Sequence, residues 1–198
     1  MCPIILNAHD SLNLHNTFSL PLHFFRIMGG VHKKTKSKKP TKATVNIIPR
    51  DEWEAQPING QVTKLKLPVE YIRYGITCTS GCRLDYKCRT ILQEFQQKYI
   101  DNNYADQPFN FLVGGDGNVY EGRGWHLEAD RLDKINKKMK GKAIDIGYIG
   151  NFKSHDELPD YLLETVKLLI DYALEENYIQ PCPKVLNLND FTPILEGD

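Results

Sequence analysis

The chain has 198 residues, a length that suits one domain of roughly 100–200 residues with a tail. Charged residues make up 25% and hydrophobic ones 41%, which excludes a chain disordered throughout. The 25 basic and 25 acidic side chains cancel, which excludes a wholly basic nucleic-acid binder. The zero sum hides a division. Residues 1–45 hold seven basic side chains and one acidic, an excess of six positive charges, so residues 46–198 carry 18 basic against 24 acidic and an equal excess of negative charge. The sequence therefore reads as a basic, disordered arm over 1–45 attached to an acidic domain over 46–198.

No apolar run in the arm approaches the ~20 residues that cross a bilayer. Phe18 to Val31 is interrupted by Pro21, His23 and Arg26. The apolar start from Met1 to Leu6 lacks a basic region before it and soon meets Asn7, His9 and Asp10, so no secretory signal is read. A cytoplasmic location is the expectation, with a secreted or membrane-associated form as the alternative. The stretch from Lys33 to Lys42 repels itself and reads as an extended, solvated linker. A nuclear address or contact with an anionic membrane is its other reading, the latter worth about 1 kcal/mol per basic residue at the surface.

From Val45 onward the composition changes. Val69 to Thr77 is rich in β-branched and aromatic residues and predicts a strand. Leu84, Cys88, Ile91, Phe95 and Tyr99 recur three or four residues apart, which predicts an amphipathic helix ending near Asn102-Asn103. Phe109 to Val113 and Asn118 to Glu121 alternate around Gly114-Gly115-Asp116-Gly117. Glycine-rich loops can cradle phosphate, but no helix and no Lys-Ser/Thr pair follows, so a β-hairpin turn is expected. Ala143 to Ile149 predicts another strand. Pro159 suits a first helical position, ahead of an apolar stripe through Leu162, Val166, Leu169, Ile170 and Ala173. Lys184 to Leu188 predicts a last strand. This order implies an α/β or α+β sheet packed with helices.

There are five cysteines: Cys2, Cys78, Cys82, Cys88 and Cys182. Cys82 and Cys88 are close enough in sequence to bridge across the loop before the first helix. A zinc site on Cys78, Cys82 and Cys88 would need a fourth ligand, and the domain's only histidines, His126 and His155, are far off in sequence. A disulfide would favour an oxidising compartment, which opposes the missing signal.

Ile47-Ile48-Pro49-Arg50-Asp51-Glu52-Trp53, then Leu67 to Tyr71, and above all the run from Phe109 to Trp125 resemble the peptidoglycan recognition protein family. Ile144, Ile146, Tyr148 and Gly150-Asn151-Phe152 extend the likeness, which covers about Asn46 to Asp190. The resemblance implies a mixed central β-sheet flanked by α-helices, homologous to zinc-dependent phage amidases, with a disulfide between Cys82 and Cys88. It also implies a cleft for muramyl peptides and, in some members, hydrolysis of the lactyl–L-alanine amide. Against that resemblance the sequence, read to Asp198, is expected to lack the family's last helix.

In such an enzyme two imidazoles and a thiolate hold zinc, which activates a water. The resemblance sets these ligands at Gly75, Leu188 and Glu196, and the catalytic tyrosine at Phe109. Three positions thus lack donors, and a lone carboxylate closes no ligand shell, so no cofactor is expected and amidase activity is rejected. The family pair that discriminates stem peptides falls on Asn103-Tyr104. Beyond Trp125 the cleft-lining run is replaced by Leu127-Glu128-Ala129-Asp130-Arg131-Leu132. Thr77, Asn103, Tyr104, Phe109, Trp125 and Arg131 are the candidate ligand-binding residues, with Glu128 and Asp130 repelling an anionic peptide. The expectation is a non-catalytic receptor of bacterial wall fragments acting in innate immunity. Other family members or signalling adaptors are its expected protein partners, and nucleic acid is not a partner. The alternative is a regulator that works through protein contacts alone.

Overall fold

Two helices and six strands make up the regular structure of residues 44–129, 139–153 and 157–186, the residues described in this computed structural model. The strands are β1 (Ile47–Ile48), β2 (Val69–Ile76), β3 (Phe111–Val113), β4 (Val119–Glu121), β5 (Ala143–Tyr148) and β6 (Ile179–Leu186). Helix α1 spans Asp85–Asp101 and α2 spans Asp160–Glu175. The strands form one mixed sheet in the order β1-β4-β3-β5-β2-β6. Among these strands β3 and β4 pair antiparallel, and every other neighbouring pair is parallel. The expected α/β architecture is therefore observed. The arm, apart from its last two residues, and the chain beyond Leu186 lie outside the described residues.

The hairpin turn between β3 and β4 is closed by its own backbone, with Gly114 N–H donating to the Asn118 carbonyl at 3.0 Å. Gly117 adopts φ +84°, a left-handed conformation that a side chain would oppose. The turn closes on itself, as the strand–glycine–strand pattern predicts.

Register separates the two faces of the sheet. Arg73 pairs with Asp145 and Gly75 with Gly147 across β2 and β5, so these four share one face with Leu112 of β3, which pairs with Gly147. Tyr74, Ile146 and Phe111 pair in the same way on the opposite face. Helix α1 covers the first face: Cys88, Leu92, Phe95 and Tyr99 join Leu112, Phe109 and Ile149 in one buried cluster. Burying each such large side chain contributes about 1.5–3 kcal/mol. Helix α2 covers the second face, where Leu162, Val166, Leu169, Ile170 and Ala173 are buried as the stripe predicts.

Three details differ from the sequence-based expectation. Leu84, assigned to the buried stripe, caps α1 and is 50% exposed, while Leu92 takes the inward place. Pro159 caps α2 instead of opening it. Strand β6 begins at Ile179, five residues before Lys184, and runs through Pro181 and Pro183. It tolerates them because it is an edge strand, and its register against β2 shifts between Val69 and Tyr71 where the prolines fall.

Candidate functional site

Alternation along β2 sends Arg73, Gly75 and Thr77 to the α1 face, and pairing with β5 sets Asp145 and Gly147 beside the first two. The Arg73 guanidinium donates to the Asp145 carboxylate at 2.6 Å, and both side chains are buried. One step along, Gly75 and Gly147 present no side chain. Phe109 fills that space: a Cβ on Gly147 would lie 2.8 Å from the Cγ and Cδ2 of its ring. The same ring stacks on Phe95 of α1 at 6.3 Å and has no exposed surface.

The backbone around Phe109 is clamped by amides and a carboxylate. Gln107 accepts from the Phe109 N–H at 2.7 Å and donates to its carbonyl at 2.8 Å. Asp106 accepts from Gln96 Nε2 at 2.7 Å, from the Gln107 N–H at 2.8 Å and from Arg50 at 2.8 Å. Asn110 accepts from the Asp145 N–H and donates to the carbonyls of Gly124 and Leu127, fixing β5 to the segment after β4. Asp106, Gln107, Asn110, Arg73 and Asp145 are absent from the candidates read in the sequence. Alternation along β2, which aligns Arg73 with Gly75 and Thr77, is the one signal that could have found any of them.

Thr77 stands at the rim of this floor. Its hydroxyl accepts from the Gly150 N–H at 3.0 Å and lies 2.7 Å from the Thr79 hydroxyl, so it is oriented before any ligand arrives. Cys78 follows in a left-handed conformation with φ 54°, and burial raises its thiol pKa against the lowering influence of Lys98. Asn103 and Tyr104 terminate α1, with Asn103 exposed at φ 66° and the Tyr104 ring 5.5 Å from that of Tyr99. The fold thus brings Thr77, Phe109 and Tyr104 to one side of the sheet, with Asn103 at the edge.

Trp125 is turned to the other side. It packs on Phe111 at 4.1 Å, stacks on Tyr178 at 4.6 Å and reaches Tyr172 of α2 at 6.0 Å. As a candidate ligand residue it is therefore not assembled with Phe109, because Phe109 lies before β3 and does not share a face with Phe111. Arg131, Asp130, Leu188 and Glu196 lie outside the described residues.

Cys82 and Cys88 are joined by a disulfide, which removes both from any zinc site of the kind weighed with Cys78. Among the described residues no three His, Cys, Asp or Glu side chains converge to hold a metal ion. Gly75 and Phe109, where the resemblance sets a zinc ligand and the catalytic tyrosine, carry neither an imidazole nor a hydroxyl. The Phe109 ring on Gly147 is thus part of the core beneath α1, bordered by the Thr77 hydroxyl and the buried Arg73–Asp145 pair.

Residues 69–191 match the N-acetylmuramoyl-L-alanine amidase family. A peptidoglycan-recognition protein of Drosophila simulans is 30% identical over 141 residues, 71% of this chain and 75% of that protein. The structure of bumblebee PGRP-SA superposes with a TM-score of 0.66 at 30% identity, covering 75% of this chain and 86% of that one. Peptidoglycan recognition protein-LE, solved in complex with tracheal cytotoxin, a monomeric diaminopimelic acid-type peptidoglycan, superposes at 0.62 with 31% identity, covering 70% and 79%. With the sheet, the disulfide and these likenesses together, the chain belongs to the peptidoglycan recognition protein family.

Proposed function

We propose that this chain recognises muramyl peptides without hydrolysing them and acts in innate immune recognition or signalling, with other family members or signalling adaptors as protein partners. The observation that carries the reading is the Phe109 ring packed on Gly147, whose strand partner is Gly75, with carbon where the resemblance sets an imidazole and a phenol in the family enzyme. The complex of peptidoglycan recognition protein-LE with a monomeric peptidoglycan supports the ligand class. Thr77, Asn103 and Tyr104 are the contacts, and Phe109 fills the core between the sheet and α1 beside them.

Titration calorimetry with lysine-type and diaminopimelate-type muramyl peptides tests the proposal. Saturable heat with either, and no free stem peptide released from peptidoglycan in the presence of zinc, is the expected result. Released stem peptide would overturn the non-catalytic reading. Absence of heat at millimolar ligand would favour the second reading, a regulator acting through protein contacts, which the full burial of Phe109 supports.

A further inference from the structure

A crevice of about 470 Å³ opens at the carboxyl ends of β2 and β5, lined by Gly81, Arg83, Leu84, Lys87, Phe152 and Tyr161 among others. Its place follows from the topology. The chain leaves β2 for α1 on one face and leaves β5 for α2 on the other, so two adjacent parallel strands send their connections in opposite directions. Such a switch point leaves a gap beyond the strand ends, the usual seat of a binding site in a sheet of this kind. The volume falls within the ~300–1,000 Å³ of sites that take one drug-sized group or one anchoring side chain.

The walls are held in place. Gly115 brings the β3–β4 turn so near the disulfide loop that a Cβ there would lie 2.2 Å from the Cys82 carbonyl oxygen and 3.5 Å from the Tyr161 hydroxyl. The Arg83 guanidinium lies 5.9 Å from the Tyr161 ring centroid. Two apolar side chains of the lining are left in water, Leu84 at 50% exposure and Tyr161 at 37%. Val62, Leu67 and Tyr86 are the other large apolar residues so exposed among those described. Clustering of this sort marks a contact surface, whereas singly scattered residues do not.

Charge narrows the occupant. Among the described residues Arg83 and Lys87 are the charged members of the lining, and no carboxylate joins them. Asp85, between them in sequence, is taken by Arg89 at 2.8 Å and by the Tyr120 hydroxyl at 3.2 Å. In a segment from 46 to 198 with an acidic excess, a crevice whose described lining bears cations alone is a local reversal of sign. We infer that it docks an acidic segment of a partner protein, which places one aliphatic or aromatic side chain in the crevice and sets carboxylates against Arg83 and Lys87. Exposed tyrosine and arginine at the rim of a preformed hole are the side chains on which such contacts usually depend. Helix α1 separates this crevice from Asn103-Tyr104: its 17 residues put about 25 Å between the two ends.

The test uses the full chain and a fluorescein-labelled peptide with a central tryptophan flanked on both sides by glutamates, alongside the same peptide with glutamines. Saturable binding of the acidic peptide is expected by fluorescence anisotropy, about tenfold weaker for the glutamine peptide and for the Arg83→Glu/Lys87→Glu variant. Tyr161→Ala, which keeps both cations, is expected to weaken binding as well. Amide resonances of Gly81, Gly115 and Leu162 should shift on binding while that of Asn103 stays. Equal binding of the two peptides, no saturation at millimolar peptide, or shifts at Asn103 instead would overturn the inference. Loss of the crevice's exposure to a second copy, seen as a doubled mass by ultracentrifugation that the charge-reversed variant abolishes, would overturn it too. Because muramyl-peptide binding is measured separately, failure here leaves that reading intact.

Discussion

Replacing Gly147 with alanine would set a methyl carbon 2.8 Å from the Cγ and Cδ2 of Phe109 and 3.0 Å from Cδ1. These atoms are the root of the ring, so rotation of its far end gives no relief. The side chain would have to leave its rotamer or push against Phe95, on which it stacks. Overpacking a filled core costs about 1–3 kcal/mol, and at ~2–4 °C per kcal/mol for a chain of this size the melting temperature should fall by about 2–12 °C. Phe109→Leu in the same background removes the obstructing ring. The double variant should then be more stable than the sum of the single effects predicts by about 1 kcal/mol or more, a coupling expected only of groups in contact. Differential scanning calorimetry on the four proteins supplies the cycle. A Gly147→Ala variant that melts with the native chain, or single effects that add to within ~0.5 kcal/mol, would refute the ring-on-glycine geometry and with it the closed floor.

Asp145→Asn should leave the buried Arg73 guanidinium without a carboxylate and cost about 3–5 kcal/mol in urea unfolding; a loss under ~1 kcal/mol would mean that the pair is already wet. Tyr74 and Tyr148 bury hydroxyls for which the described residues offer no hydrogen-bond partner, and burial raises both phenol pKa values far above the usual range. Their neutral forms therefore contribute stability that is complete below the unfolded value of about 10 and is lost as pH rises beyond it. Tyr148→Phe should be neutral or stabilising by about 1 kcal/mol and should soften alkaline unfolding, followed by phenolate absorbance. Ionisation of both phenols near pH 10 in a still-folded chain would contradict this.

Val69 to Ile76 and the α2 stripe were legible because burial on one or two faces leaves a period in the residue types. β1 was not: two residues, Ile47 and Ile48, carry no period, and their pairing with β4 is set by contacts more than 70 residues away. The first half of β6 was hidden by Pro181 and Pro183, which argue against a strand unless it lies at an edge, and edge position is a tertiary fact. Gly75 and Phe109 were found through family likeness. That Phe109 is sealed beneath α1 while Trp125 packs toward α2 is set by tertiary packing on the two faces of the sheet, which composition does not record. The Arg73–Asp145 pair shows no pattern of its own, since strand register alone joins residues 72 positions apart.

The irregular β6 has a further bearing on how the domain meets other proteins. Where its register slips, Gln180 Nε2 lies 3.4 Å from the Glu70 carbonyl and 3.2 Å from that of Cys182, a side chain standing in for the missing ladder. Pro181 and Pro183 cannot donate to a neighbouring strand on either side. As the margin of the sheet among the described residues, β6 is thus a poor template for added strands, which guards against edge-to-edge aggregation. Association along that margin must be written in side chains, so its specificity is open to change one residue at a time.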